Sequence, residues 1–111
     1  MVKYSSRHLD LVFSALCDPT RRRMLEMLAR AEYTVTELAK PFKMSLPAVS
    51  KHIRVLEKAG LIRRRRDGRI HHVRLESRPM QQASAWMDQY RKFWEAQFDA
   101  LTRYLEKPTT K

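Results

Sequence analysis

At 111 residues the chain has room for one hydrophobic core but not for two, and a hydrophobic content of 43% sets it apart from a disordered segment. Its formal charge is +11, from 23 Lys and Arg against 12 Asp and Glu, and a folded domain this basic most often meets a polyanion. A single cysteine, Cys17, excludes an intramolecular disulfide, two glycines exclude a Gly-rich phosphate loop, and no segment approaches the apolar length of a membrane span.

The opening MVKYSSRHLDLVF lacks the apolar run of a signal peptide, so a cytoplasmic protein with one domain over 1–111 is expected. Leu9, Val12, Phe13 and Leu16 recur at helical spacing and predict an amphipathic helix over 7–16. Asp18-Pro19 restarts the chain, because Asp is a good N-cap and Pro fits a first helical turn. A second helix is therefore expected from Pro19 to about Arg30, with Met24, Leu25 and Leu28 inward. Arg21, Arg22 and Arg23 fall near the positive end of that helix, the unfavourable end for cations, and read either as a solvated face or as a clamp on a backbone phosphate. Cys17 is expected to be a small buried hydrophobe.

Tyr33-Thr34-Val35 suits a short strand, and Thr34-x-x-Glu37 is a capping box that opens a third helix over TELAKPFK, which Pro41 shortens or kinks. Ser45 caps a fourth helix over about 46–59, with Val49, Ile53 and Leu56 on one apolar stripe and Gly60 as the left-handed stop. Residues 61–75 change period. Asp67-Gly68 reads as a two-residue hairpin turn, pairing Ile62 with Val73, Arg64 with His71 and Arg66 with Arg69. That hairpin has an apolar root and an arginine tip, the form of an element that projects from the core into something else. Residues 40–78 carry twelve Lys or Arg against Glu57, Asp67 and Glu76, so this segment holds +9 of the +11, the electrostatic footprint of a nucleic-acid binder.

Beyond Pro79, the residues Ala83, Trp86, Met87, Tyr90, Phe93, Trp94, Phe98, Leu101, Tyr104 and Leu105 recur at three and four and predict one helix over 80–105, roughly 39 Å long. A rod this aromatic exceeds what a small domain can cover. Together with the first helix it is expected to bury against a second copy, through Leu9, Val12, Phe13, Trp86, Tyr90, Phe93, Trp94 and Leu101.

The element order defines a mainly α fold with a small β-hairpin, a winged helix-turn-helix. TELAKPFK and LPAVSKHIRVLEKAG are its two helices, joined by the KMS turn, and the second would enter a DNA major groove. The stretches DPTRRRMLEML, TVTELAKPFKMSLPAVSKHIRVLEKAGLI and RRRRDGRIHHVRL resemble the ArsR/SmtB family of bacterial transcriptional regulators, over roughly residues 9–105. The resemblance implies a homodimer, formed through the first and last helices, that binds a partly palindromic double-stranded operator and represses a nearby operon. Carried onto this chain, it points to Ser45, Pro47, Ala48, Ser50, Lys51 and Arg54 on the reading helix and to Arg64, Arg66 and Arg69 in the wing. His52 is included as either a DNA contact or a helix-packing residue.

Metal-sensing members of that family place cysteines early in the third helix, or a spaced Asp/His/Glu set along the last one. Here Thr34, Val35, Thr36 and Glu37 stand at the first location, and the last helix has no His or Cys. His71 and His72 are adjacent in a strand, so they point to opposite faces and cannot chelate one ion. No metal or cofactor is expected, and the chain resembles the non-metal branch. An unidentified small-molecule effector stays open as a partner, since Trp86, Tyr90, Phe93 and Trp94 suit either dimer packing or an apolar ligand. Paired carboxylates, a nucleophile beside a base and a phosphate loop are all lacking, which argues against an enzyme. The alternative function is sequence-independent binding of RNA or coating of the chromosome. Between residues 43 and 78 the basic segment has none of the stacking aromatics such a protein uses.

Overall fold

A computed structural model describes residues 6–106, so the outer ends of the expected 1–111 domain lie outside the described residues. The chain opens with α1 (Ser6–Leu16) and α2 (Pro19–Leu28), separated by a short turn. Asp18 caps α2 by accepting the Arg21 backbone N–H at 3.1 Å, and Pro19 sits at the start of the helix, where its missing N–H costs nothing. Desolvation works against the Asp18 carboxylate. The Arg21 N–H, the charges of Arg21 and of His52 when protonated, and the Thr20 N–H outweigh it and hold the Asp18 pKa below its ordinary 3.8.

Thr34 serves two elements at once. It ends β1 (Tyr33–Thr34) and caps α3 (Val35–Ala39), its hydroxyl accepting from the Glu37 N–H while the Glu37 carboxylate accepts from the Thr34 N–H. The third helix is thus only five residues long and stops before Pro41, which has no N–H to extend the ladder. Ser45 then caps α4 (Leu46–Lys58) through the Ala48 N–H at 3.3 Å. Val49, Ile53 and Leu56 are fully buried, so the stripe expected from the sequence is the face that seats this helix. Gly60, at φ +76°, ends it: its N–H reaches the Glu57 carbonyl and the Leu61 N–H reaches the Leu56 carbonyl, with Leu56 and Leu61 both in the core.

The wing comprises β2 (Ile62–Asp67) and β3 (Ile70–Leu75), and β1 joins the far side of β3 to make a three-stranded antiparallel sheet ordered β1-β3-β2. Its register corrects the expected one. Ile62 faces Leu75, Arg64 faces Val73, Arg66 faces His71 and Asp67 faces Ile70. The turn residues are Gly68 and Arg69, one position later than the Asp-Gly pair. Gly68 has φ +63° and no non-glycine residue has positive φ among the described residues, which matches a turn with glycine at its first central position.

The C-terminal segment also departs from the single rod over 80–105. It forms α5 (Arg78–Asp88) and α6 (Arg91–Glu106), with the Tyr90 N–H bonded to the Met87 carbonyl at the junction. Neither proline nor glycine marks the break. It falls where contact with the core ends, since Pro79 and Ala83 of α5 are buried and no residue of α6 is. The radius of gyration, 19.8 Å, exceeds the roughly 13 Å of a compact chain this long because α6 stands away from the rest. Two more expectations change. Val12 is enclosed in the core of its own chain and cannot also meet a partner. Cys17 is exposed, because it lies on the α1–α2 turn just past the last inward residues.

Asp18→Ala is expected to cost about 1 kcal/mol near neutral pH, as the loss of an N-cap does. The carboxylate's folded pKa lies below 3.8, so its contribution is complete above that pH and is lost as pH falls through the depressed value. Urea denaturation of both proteins at neutral pH and near pH 2 checks this, and the gap between them should close at the acid end.

Candidate nucleic-acid interface

With Val49, Ile53 and Leu56 turned inward, α4 presents its opposite side to solvent. Ser45, Pro47, Lys51 and Arg54 are exposed, and Ala48 and Ser50 are half-buried along the same side. These residue types cover the chemistry of a groove: hydroxyls that meet base edges or phosphates, cations for phosphate or guanine, and a small methyl for thymine. The six expected helix residues other than His52 are therefore brought together on one surface.

His52 is held elsewhere. Its Nδ1 lies 3.0 Å from the Arg21 guanidinium and 3.8 Å from the Asp18 carboxylate, which puts the ring against the α1–α2 corner. A guanidinium only donates, so Nδ1 accepts and the ring proton belongs on Nε2. Of the two roles open for His52, the structure gives it helix packing.

Arg21 also resolves the misplaced arginines of α2. Its Nε donates to the Ala15 carbonyl at 2.8 Å and its Nη2 to the Ser14 carbonyl at 3.2 Å, while Arg22 donates to the Leu16 carbonyl at 2.7 Å. Both cations thus satisfy the last carbonyls of α1, at the negative end of that helix, and neither reading made from the sequence describes them. The signal was their position shortly after a helix end rather than their position in α2.

In the wing, alternation divides the arginines between two faces. Arg63 donates to Glu76 at 2.8 Å and Arg65 to Glu32 at 3.3 Å on the outer face. Arg64 donates to Glu57 at 3.1 Å, at the C-terminal end of α4. The Arg63 hydrogen bond, opposed by desolvation and aided by the charges of Arg63, Arg74 and Arg78, holds the Glu76 carboxyl below the usual carboxylate range. Arg66 donates to the Gly68 carbonyl, and among the described residues neither Arg66 nor Arg69 has a carboxylate partner. His71 lies on the α4 side and His72 on the other, 3.9 Å from both Glu32 and Asp67. Among the described residues no three His, Cys, Asp or Glu side chains converge to hold a metal ion. No helix there is long and apolar enough to cross a membrane.

A seated helix with a polar outer face, beside a basic hairpin rooted in the same core, defines a winged helix-turn-helix DNA-binding protein. Residues 18–64 match the family described as bacterial regulatory protein, arsR family. The chain is 34% identical over 79 residues to the transcriptional repressor SdpR of Bacillus subtilis, an alignment covering 71% of this chain and 88% of that protein. It is 35% identical over 100 residues to the HTH-type transcriptional regulator Rv2034 of Mycobacterium tuberculosis, covering 90% of this chain and 88% of that one. Its fold superposes with a TM-score of 0.78 on the crystal structure of the ArsR family transcriptional regulator RHA00566, at 43% identity over 86% of this chain and 97% of that chain. The chain belongs to the ArsR family. It is a DNA-binding transcriptional regulator, not an enzyme.

Arg21→Ala should lower the thermal midpoint, because it strips hydrogen bonds from two α1 carbonyls and from His52 at once. A loss of about 1–3 kcal/mol is expected, measured by circular dichroism melting.

Proposed function

We propose that the chain works as a cytoplasmic, symmetric homodimer that represses transcription by placing two copies of α4 in successive major grooves of a partly palindromic operator. The observation that carries this reading is the two-sidedness of α4: an apolar stripe fully buried in the protomer and a base-reading set, Ser45, Pro47, Ala48, Ser50, Lys51 and Arg54, on the side left open. Dimer symmetry would set the two half-sites about one helical turn apart. Sequence-independent coating of RNA or chromosome finds no support among the relatives named above, which are regulators.

The second copy is argued from apolar surface. Phe93, Trp94, Phe98, Leu101, Tyr104 and Leu105 are each more than half exposed on α6. Exposed apolar side chains in such a continuous row are the mark of an interaction surface rather than of a monomer's ordinary exterior. The row continues across α5 and onto α1 through edge-to-face ring pairs, Phe13 with Trp86 at 5.6 Å and Trp86 with Tyr90 at 5.3 Å. Leu9, Phe13, Trp86, Tyr90, Phe93, Trp94 and Leu101 accordingly form the proposed two-fold interface, without Val12.

Selection from random duplexes should return one enriched, partly palindromic sequence. On that operator Lys51→Ala or Arg54→Ala should weaken binding by at least about 1 kcal/mol without a change in melting temperature. An unenriched pool would refute the reading. Independently, Phe93→Ser with Trp94→Ser should convert a dimer to a monomer in sedimentation equilibrium, and a wild-type protein that sediments as a monomer would remove the homodimer.

A further inference from the structure

Between the N-terminal half of α4 and the inner face of the wing runs a cleft of about 450 Å³. Its lining includes Ser50, Arg64, Arg69 and His71, three aliphatic residues, Val35, Leu46 and Ile70, and no carboxylate. Leu46 and Ile70 are both more than half exposed, although neither belongs to the apolar row of α5 and α6. His71 brings a further oddity: its Nδ1 is buried without a hydrogen-bond partner, which leaves Nε2 as the nitrogen able to meet something in the cleft. A second cleft on the other side of the α4–wing contact is lined by Glu57, Gly60, Ile62, Arg63 and Arg64. Arg64 therefore borders both. In the free protein it is bound to Glu57 at 3.1 Å, in a pair whose side chains are 25% and 40% exposed.

We propose that the first cleft seats one sugar–phosphate strand of the operator and that Arg64 is exchanged between two anions, Glu57 in the free protein and a DNA phosphate in the complex. This rests on the DNA-binding reading above and adds to it a site and a competition. Charge selects the occupant: two guanidiniums with no acid in the lining favour a polyanion. The exposed aliphatics favour a strand over a free phosphate, because Leu46 and Ile70 can pack on deoxyribose or a thymine methyl while a lone ion would leave them in water. The cleft is also continuous with the open side of α4 through Ser50. The exchange is cheap in energy, since a part-exposed ion pair contributes little and a phosphate in the field of a duplex is the stronger anion for an arginine. His71 offers Nε2–H to a phosphate oxygen and is a DNA-contact residue that the basic pattern of the sequence does not single out.

The test uses the whole chain and fluorescence anisotropy on its selected operator across a salt series. Glu57→Gln removes the internal competitor and should tighten binding by about threefold, the scale of a surface ion pair. Arg64→Ala should weaken it by about tenfold and reduce the slope of log affinity against log salt by about one, because one phosphate contact is lost. Glu57→Gln should bring no gain in the Arg64→Ala background, the signature of a coupled pair. His71→Phe should weaken binding by about fivefold, the scale of one lost hydrogen bond. Arg63→Ala, a charge removed on the outer face, should leave the slope as it was. Phosphate-ethylation interference reads the same contact directly, at a phosphate whose modification hurts wild type but not Arg64→Ala. Glu57→Gln binding that is unchanged or weaker would overturn the exchange and make Glu57 a mere prop for Arg64. An unaltered affinity in both Arg64→Ala and His71→Phe would remove the strand from the cleft while operator binding by the wild type stood. A wild type that selects no operator would instead bring down the functional reading itself.

Discussion

The burial of Val49, Ile53 and Leu56 allows α4 only one rotational setting, and the layout of the proposed DNA-facing surface follows from it. Each fully buried aliphatic side chain stabilises by about 1.5–3 kcal/mol. A turn of the helix by one residue in one direction would exchange that gain for the burial of Ser50, Arg54 and Glu57, and the two charges would cost several kcal/mol to desolvate. The helix is seated by α1, α2, α3 and β2 together, so its angle belongs to the whole core. At its end, the Gly60 turn places Leu61 back into the same core, and Ile62 and Val73 root the wing beside it. Reading helix and wing thus share one hydrophobic foundation. Their spacing is set before any DNA arrives, and little ordering has to accompany binding.

Arg21 extends that rigidity in the other direction. One side chain holds the C-terminal carbonyls of α1 and the imidazole of His52, so the helix that carries Phe13 of the apolar row is tied directly to α4, the proposed reading helix. Half-site spacing in a two-fold regulator depends on how far apart the two reading helices sit. In the proposed dimer, a short polar link between the α1 end and α4 makes that distance a property of packing rather than of loops.

Local signals in the sequence translated well because they act within a few residues. Asp18, Thr34 and Ser45 each bond a backbone N–H three positions on, and Gly60 needs only its own left-handed backbone. The open face of α4 could be read for the same reason, as the complement of a periodic stripe. The wing register was not legible to the residue, because one glycine flanked by Asp67 and Arg69 fits two adjacent turn positions and the sign of φ at Asp67 decides between them. Val12 and Phe13 are neighbours on one helix, and only the three-dimensional seat of α1 shows that the first is core while the second reaches the apolar row. The bond between Arg21 and His52 spans 31 positions and leaves no local mark. The junction at Gln89 and Tyr90 has no breaker residue to announce it, and β1 pairs with β3 across 40 positions, at Tyr33 and Val73.

Four successive arginines in a strand are first a problem of folding. In the observed register Arg63 stands directly opposite Arg74, a like-charge pair that destabilises a sheet unless something intervenes. Glu76 does so, bonded to Arg63 and feeling both Arg74 and Arg78. Glu32, just before β1, meets Arg65, and Glu57 on α4 meets Arg64. Carboxylates from three separate parts of the chain therefore fasten the root and middle of the hairpin, while among the described residues Arg66 and Arg69 at the tip have none. Net charge counted along the segment exaggerates what the wing offers a polyanion and conceals where it is offered. Such part-exposed pairs are individually weak, enough in sum to orient the hairpin in water yet each weak enough for a phosphate to displace. The arginine run is thus moored by carboxylates along its root and middle, on the outer face through Arg63 and Arg65 and on the α4 side through Arg64, and Arg64 is the residue at which mooring and the proposed DNA contact compete.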